Sequence, residues 1–263
     1  MIDIPFVAGE RQFAWVKPRM AFHGAPVGFL MLDRMPGAGI RPYLPGDTGN
    51  ASTWSVPVRY KTVPGMNVTR IFGPEGEALT STVVQAATEL VREGAQLITC
   101  GCGYSIRYQE AVRDAVDVPV FLSSLLLAPF LERMLPRNKA LGIIAASKAA
   151  LTKPYILEAA GLQANIGRRV VVAGLEDTPV FAPTWNEGKG DLDVSAVEKD
   201  VVDTAVALVN DRPDIGMLLL ECGDLPPYAS SVQKATGIPV FDYTSMIEFF
   251  IRGLIRKPFT GLI

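Results

Sequence analysis

Histidine occurs once in this chain, at His23, and cysteine three times, at Cys100, Cys102 and Cys222. An odd count of three in a chain of this size does not read as a disulfide framework, which leaves packing, metal binding or catalysis for the thiols. Together with His23 they could supply four zinc ligands, but the Cys100-x-Cys102 spacing is tighter than zinc motifs use. Nothing places His23 beside either thiol as in a Cys-His protease pair, and it is read as structural. Long hydrophobic runs are missing too. Stretches such as Val118 to Leu127 and Ile215 to Leu220 fall short of the roughly 20 residues that span a bilayer. Neither a basic n-region nor an apolar h-region follows Met1, so a cytoplasmic protein is expected. Charge is not biased: the formal net charge is -2 with both signs interspersed, which speaks against nucleic-acid or membrane-surface partners. With 49% hydrophobic and 20% charged residues among 263, there is apolar mass for a large core or two ordinary lobes.

What is present is an alternation of short apolar runs with segments of helical period, the pattern of parallel strands joined by crossover helices. Strands are expected at Val27 to Leu32, Ala95 to Thr99, Val118 to Leu122, Leu141 to Ala145, Arg169 to Ala173, Ile215 to Leu220 and Ile238 to Phe241. One helix shows a face of Val83, Ala87, Leu90 and Val91 and stops at Gly94; another shows Val197, Val201, Ala205 and Leu208.

The chain also repeats itself. Cys102-Gly103, a helical segment and Val118-Pro119-Val120-Phe121 recur as Cys222-Gly223, a helical segment and Ile238-Pro239-Val240-Phe241. The offset is 120 residues at the cysteine (102 to 222) and at the proline (119 to 239), and it also aligns Tyr108 with Tyr228 and Ser124 with Thr244. Val27 to Asp33 resembles Leu141 to Ser147 in the same way. Two related α/β halves are implied, each with one cysteine after a strand, where open α/β sheets bind ligands.

A thiol placed there, just before a helix, would meet the positive end of the helix dipole and free backbone N–H groups, which favour thiolate and anions. Ser105 and Asp224 are candidate caps for the helices that follow. Gly103 and Gly223 would let a ligand approach the backbone closely. If the halves face each other, Cys102 and Cys222 flank one cleft, the arrangement needed to take a proton from one face of a carbon and return it to the other. Cys100 keeps the ordinary reading of a small buried hydrophobe.

At these residues the sequence resembles the aspartate/glutamate racemase superfamily, in a branch with Cys-Gly-aromatic at the first site and Glu-Cys-x-x-x-Pro-Pro-Tyr at the second. The matching pieces are Pro45 to Asn50, Thr99 to Tyr104 with Gln109, Ser123-Ser124, and Glu221-Cys222 through Tyr228-Ala229 to Phe241-Asp242. The resemblance implies an α/β fold of two pseudosymmetric three-layer lobes with mostly parallel sheets and the active-site cleft between them. Residues 1–136 plus 242–263 would form the first lobe and 137–241 the second. It further implies no cofactor, neither metal nor pyridoxal phosphate, with Cys102 and Cys222 as the catalytic pair. Asp33 occupies the place of an acidic residue that assists a cysteine, or is a solvated loop aspartate. Amino-acid racemases follow their cysteines with hydroxyl-bearing residues; Gly103-Tyr104 and Gly223-Asp224 stand here instead, which puts an α-amino acid substrate in question.

Further candidate substrate-binding residues are Asn50, in a turn-forming loop that either lines the cleft or does not, Tyr104, Ser147 and Asp224. Ser147 is expected chiefly as a helix cap, and Asp224 either caps its helix or faces a cationic group of the substrate. Strand alternation points Glu221 away from Cys222, so a salt bridge or cap is expected of it. The stretch from Asn186 to Asp193 reads as an exposed loop or lid. The leading expectation is a cofactor-independent racemase or epimerase of a small carboxylate. Its alternatives are a lyase, decarboxylase or isomerase of the same superfamily, for example a β-eliminating lyase of a sulfonium carboxylate, for which Asp224 and Tyr104 suit a cation. A non-catalytic carboxylate-binding protein is the alternative outside enzymes. The expected partner is the small carboxylate, with a homodimer as the default assembly.

Overall fold

A computed structural model describes residues 21–34, 42–186 and 191–259. The chain builds two four-stranded sheets, all parallel, with the same order of strands. In the first, β1 (Val27–Met31) lies between β2 (Val58–Thr62) and β3 (Leu97–Cys100), with β4 (Val120–Phe121) beyond β3. In the second, β5 (Ala140–Ala145) lies between β6 (Val170–Gly174) and β7 (Ile215–Leu220), with β8 (Val240–Phe241) beyond β7. The repeat extends to register: Ile98 and Thr99 pair with Val120 and Phe121, and Leu218 and Leu219 pair with Val240 and Phe241. Gly28 pairs with Ile98 as Gly142 pairs with Leu218. Every residue of β1 and β5 is buried, as expected of central parallel strands covered on both faces.

Helices make the crossovers and connections. In the first half they are α1 (Val68–Phe72), α2 (Thr80–Arg92), α3 (Gln109–Ala115) and α4 (Ala128–Met134). In the second half α5 (Lys148–Leu151) and α6 (Pro154–Ala159) follow β5. α7 (Val194–Asp211) and α8 (Ala229–Thr236) flank β7. The apolar face read for α2 is the buried one, with Val83, Ala87 and Leu90 inside, and Gly28 leaves room for it: a Cβ there would stand 3.2 Å from the Leu90 Cδ1. α7 buries Val197, Val201 and Ala205.

Two elements differ from those expected. β2 was not expected, because Val-Arg-Tyr-Lys-Thr alternates apolar and polar residues as an edge strand rather than running apolar. The helix expected directly after Cys102 begins as a 3-10 turn over Gly103–Tyr108 and becomes α-helical only at Gln109.

The last helix, α9 (Tyr243–Leu254), opens with a capping box in which Asp242 accepts from the Thr244 and Ser245 N–H groups and Ser245 Oγ accepts from the Asp242 N–H. It crosses back to bury Tyr243, Met246, Ile247 and Ile251 with Val27, Phe29, Leu97 and Phe121 of the first sheet. Full burial of side chains of this size is worth about 1.5–3 kcal/mol each. Among the described residues no helix is long and apolar enough to cross a membrane.

Candidate active site

The equivalent strands β3 and β7 end two residues before Cys102 and Cys222, and the two Cys-Gly segments lie against each other. Ser124 Oγ donates to the Glu221 carbonyl at 2.8 Å and the Thr48 N–H to the Gly223 carbonyl at 3.1 Å. A Cβ on Gly103 would collide with the Glu221 carboxylate and stand 2.7 Å from the Glu221 carbonyl oxygen; one on Gly223 would meet the Gly101 carbonyl and stand 2.7 Å from Thr48 Oγ1. Both glycines are therefore required by close approach of the two halves, rather than by a positive φ.

Cys102 is 6% exposed, Cys222 is half-buried and Cys100 is fully buried. Cys100 donates to Ser105 Oγ at 3.0 Å, so Ser105 serves the core and does not cap the turn after Cys102, which has no side-chain cap. The expected helix-start activation of the thiols is outweighed. Burial pushes the Cys102 thiol up first, with Cys100 and Glu221 adding to it against the Tyr104 N–H. For Cys222 burial again leads, followed by Asp224 and Glu221. A 3-10 turn has little dipole to offer, and carboxylates crowd the site.

Those carboxylates are largely what the sequence left out. Glu221 makes no ion pair among the described residues and caps no helix, contrary to expectation. It is fully buried at the junction, with Oε2 accepting from the Ala146 N–H at 3.3 Å and Oε1 without a partner. Burial raises its pKa to about 7. Asp47 is fully buried in the Pro45 to Asn50 loop, with Oδ2 on the Leu44 N–H and Oδ1 without a partner. Burial and the neighbouring Asp224 push it up to about 8. Tyr228 Oη and Thr48 Oγ1 are also buried without partners. Unsatisfied buried polar atoms cost about 1–3 kcal/mol each and call for a reason, of which a ligand is one.

Asp224 does not cap: the 3-10 turn Pro226–Tyr228 begins at Leu225 with no side-chain cap. Its Oδ2 lies 4.0 Å from Cys222 Sγ and its Oδ1 3.5 Å from the Arg34 guanidinium. Burial raises its pKa, with Arg34 acting in the opposite direction. Arg34 in turn lies 4.4 Å from the Tyr43 ring and 5.4 Å from the Trp185 ring. Arg34, Tyr43 and Trp185 were not singled out from the sequence; the available signal was a cation directly after Asp33 at the carboxyl end of β1.

The remaining candidates have structural work in this arrangement. Tyr104 Oη accepts from the Ser147 N–H and donates to the Ser147 carbonyl, joining the halves. Ser147 Oγ caps α5 through the Ala150 N–H at 3.2 Å. Asp33 Oδ2 accepts from the Gly65 N–H at 2.7 Å. Asn50 Nδ2 donates to the Tyr43 carbonyl at 2.9 Å and Oδ1 caps the turn at Ser52. Half of the expected loop or lid, residues 187–190, lies outside the described residues. His23, expected to be structural, is exposed. Among the described residues no three His, Cys, Asp or Glu side chains are grouped so as to hold a metal ion.

No protein-family model matches the chain. A dimethylsulfoniopropionate lyase of Durusdinium sp. clade D is 31% identical over 223 residues, covering 83% of this chain and 73% of that protein. Dimethylsulfoniopropionate lyase 7 of Emiliania huxleyi (strain CCMP1516) is 27% identical, with 82% of this chain and 65% of that protein covered. Among solved structures, allantoin racemase from Klebsiella pneumoniae superposes with a TM-score of 0.60 at 15% identity, over 89% of this chain and 96% of that one. A glutamate racemase from Bacillus anthracis gives 0.57 at 14% identity (88% and 82% covered), and unliganded arylmalonate decarboxylase 0.53 at 19% (88% and 92% covered). The chain thus belongs to the family of the dimethylsulfoniopropionate lyases and carries the fold of the aspartate/glutamate racemase superfamily.

Proposed function

We propose that this protein is a cofactor-independent β-eliminating lyase of a sulfonium carboxylate, of which dimethylsulfoniopropionate is the leading candidate. A thiolate from Cys102 or Cys222 takes the proton from the carbon next to the carboxylate. The C–H electron pair forms the new carbon–carbon double bond, the C–S bond breaks, and its pair leaves with sulfur as neutral dimethyl sulfide, with acrylate as the other product. The kinship to lyases supports this outcome over the racemase first expected from the sequence, and it supports an enzyme over a binding protein.

The observation that carries the reading is Asp224 beside Cys222, in a junction that also buries Glu221 and Asp47. The Asp224 carboxyl beside Cys222 suits a cationic substrate. Burial holds the thiols protonated, with Asp224 and Glu221 adding to it, and a sulfonium arriving beside Asp224 offsets that charge and favours thiolate where the proton is to be removed. Protonation state is then coupled to substrate arrival, which limits reaction of the thiols with other electrophiles. Proton transfer by a positioned group contributes about 100-fold to 10,000-fold.

The test is incubation with dimethylsulfoniopropionate in deuterated water, with headspace chromatography for dimethyl sulfide and NMR for acrylate. Release of both, lost in the Cys102→Ser or Cys222→Ser protein that retains its fold, is the expected result. Intact substrates that gain deuterium at the α-carbon and lose optical purity, in a panel of chiral carboxylates, would return the assignment to a racemase.

A further inference from the structure

Arg34 is held unusually for a partly exposed guanidinium. Its partner Asp224 is 3.5 Å away, longer than the roughly 2.7–2.9 Å of a well-made charged hydrogen bond, and among the described residues the guanidinium also lies over the rings of Tyr43 and Trp185. The Tyr43 ring is fixed from outside this contact. Gly49 lets it lie on the backbone, where a Cβ would stand 2.5 Å from the ring, and Asn50 Nδ2 holds the Tyr43 carbonyl. Two aromatic faces and a carboxylate are the elements of a receptor for an onium group, and here a side chain of the protein itself occupies them. The contacts also cross the repeat: Arg34 and Tyr43 follow β1, while Trp185 and Asp224 belong to the second half.

We infer that Arg34 and Asp224 form an exchangeable ion pair that a zwitterionic substrate splits, its carboxylate taking the guanidinium and its onium group taking Asp224 and the rings of Tyr43 and Trp185. The exchange conserves charge at every point, since each protein charge trades one opposite partner for another. A ligand with one charged end leaves a protein charge unpaired in a largely buried place, which is heavily disfavoured. Specificity for molecules carrying both charges a few bonds apart follows from this pair, not from the thiols. The inference rests on the lyase reading only for the choice of sulfonium as the onium group.

The experiment is titration calorimetry with three probes: 3-(trimethylammonio)propionate carries both charges, tetramethylammonium the cation alone, and propionate the anion alone. The unaltered protein should bind the first and bind the others far more weakly. Arg34→Gln should weaken the zwitterion by on the order of 100-fold, the usual scale for losing one partner of a desolvated charge pair. It should also strengthen tetramethylammonium, because Asp224 is released. Asp224→Asn should show the mirror image, with propionate strengthened, and it stands as an independent test if the Arg34 variant does not fold. Unchanged zwitterion affinity in these variants, or parallel weakening of all three probes, would overturn the inference. Because heat and not turnover is read, exchange behaviour without dimethyl sulfide release would discard the lyase reading and leave the ion pair standing.

Discussion

The phenol of Tyr104 takes both backbone groups of Ser147, accepting from its N–H at 2.8 Å and donating to its carbonyl at 2.9 Å. Tyr104 comes from the turn after Cys102 and Ser147 from the loop after β5, so this pair of hydrogen bonds ties the two halves close to the thiols. The ring is fixed edge-on against Phe72, with centroids 4.6 Å apart. Tyr104→Phe keeps the ring and removes the tie. It should cost about 1–3 kcal/mol, since two backbone groups lose their partner, as read by urea denaturation.

Thiol reactivity should follow exposure and be slow near neutrality. Iodoacetamide mapped by peptide mass should label half-buried Cys222 first, Cys102 next and Cys100 last. Because burial and neighbouring carboxylates raise Cys102 and Cys222, labelling should be slower than that of a free thiol at pH 7.5 and still be rising at pH 9. Rapid labelling of Cys102 at pH 7 would contradict this balance of charge.

Gly103→Ala should be destabilising by about 1–3 kcal/mol or more, the range for forcing a methyl into a filled core. Trimming the acid in Gly103→Ala/Glu221→Ala should restore only part of this loss, because the Glu221 carbonyl also lies 2.7 Å from the new Cβ position. Full restoration would show that the side chain alone sets the clearance.

The buried acids give stability a definite pH slope. Glu221 is raised from 4.5 to about 7 and Asp47 from 3.8 to about 8, so each stays protonated in the fold where the unfolded chain would ionise. Their contribution is fully present below the unfolded values and is lost as pH rises through the folded ones. Unfolding free energy should fall between pH 5 and pH 8, and Glu221→Gln and Asp47→Asn should each flatten that fall. A slope unchanged in both variants would mean that neither acid is held neutral.

The parallel strands were legible because β1, β5 and β7 are nearly continuous apolar runs, and the repeat was legible because it preserves identities at Cys102/Cys222 and Pro119/Pro239. β2 escaped because Arg59 and Lys61 interrupt it. The site was legible only in part: Gly103 and Gly223 stood out as points of close backbone approach, but what approaches them is the other half of the chain rather than a ligand. It was not legible where burial decides the role: strand alternation offers a side for Glu221 but could not show that this side is the packed junction rather than solvent. Arg34 acquires its partners Asp224 and Trp185 only through the juxtaposition of the two halves, which no local pattern encodes.

The return of α9 to the first sheet orders events on the ribosome. Chains fold as they are made, N-terminal parts first where these are self-sufficient. In this chain the part of the first sheet that α9 covers, with Phe121 against Tyr243, must wait until everything through Ile251 has emerged, by which time all four strands of the second sheet are available to pair. The lobe that starts first is the one finished last, and its apolar face is the surface a nascent-chain chaperone would meet.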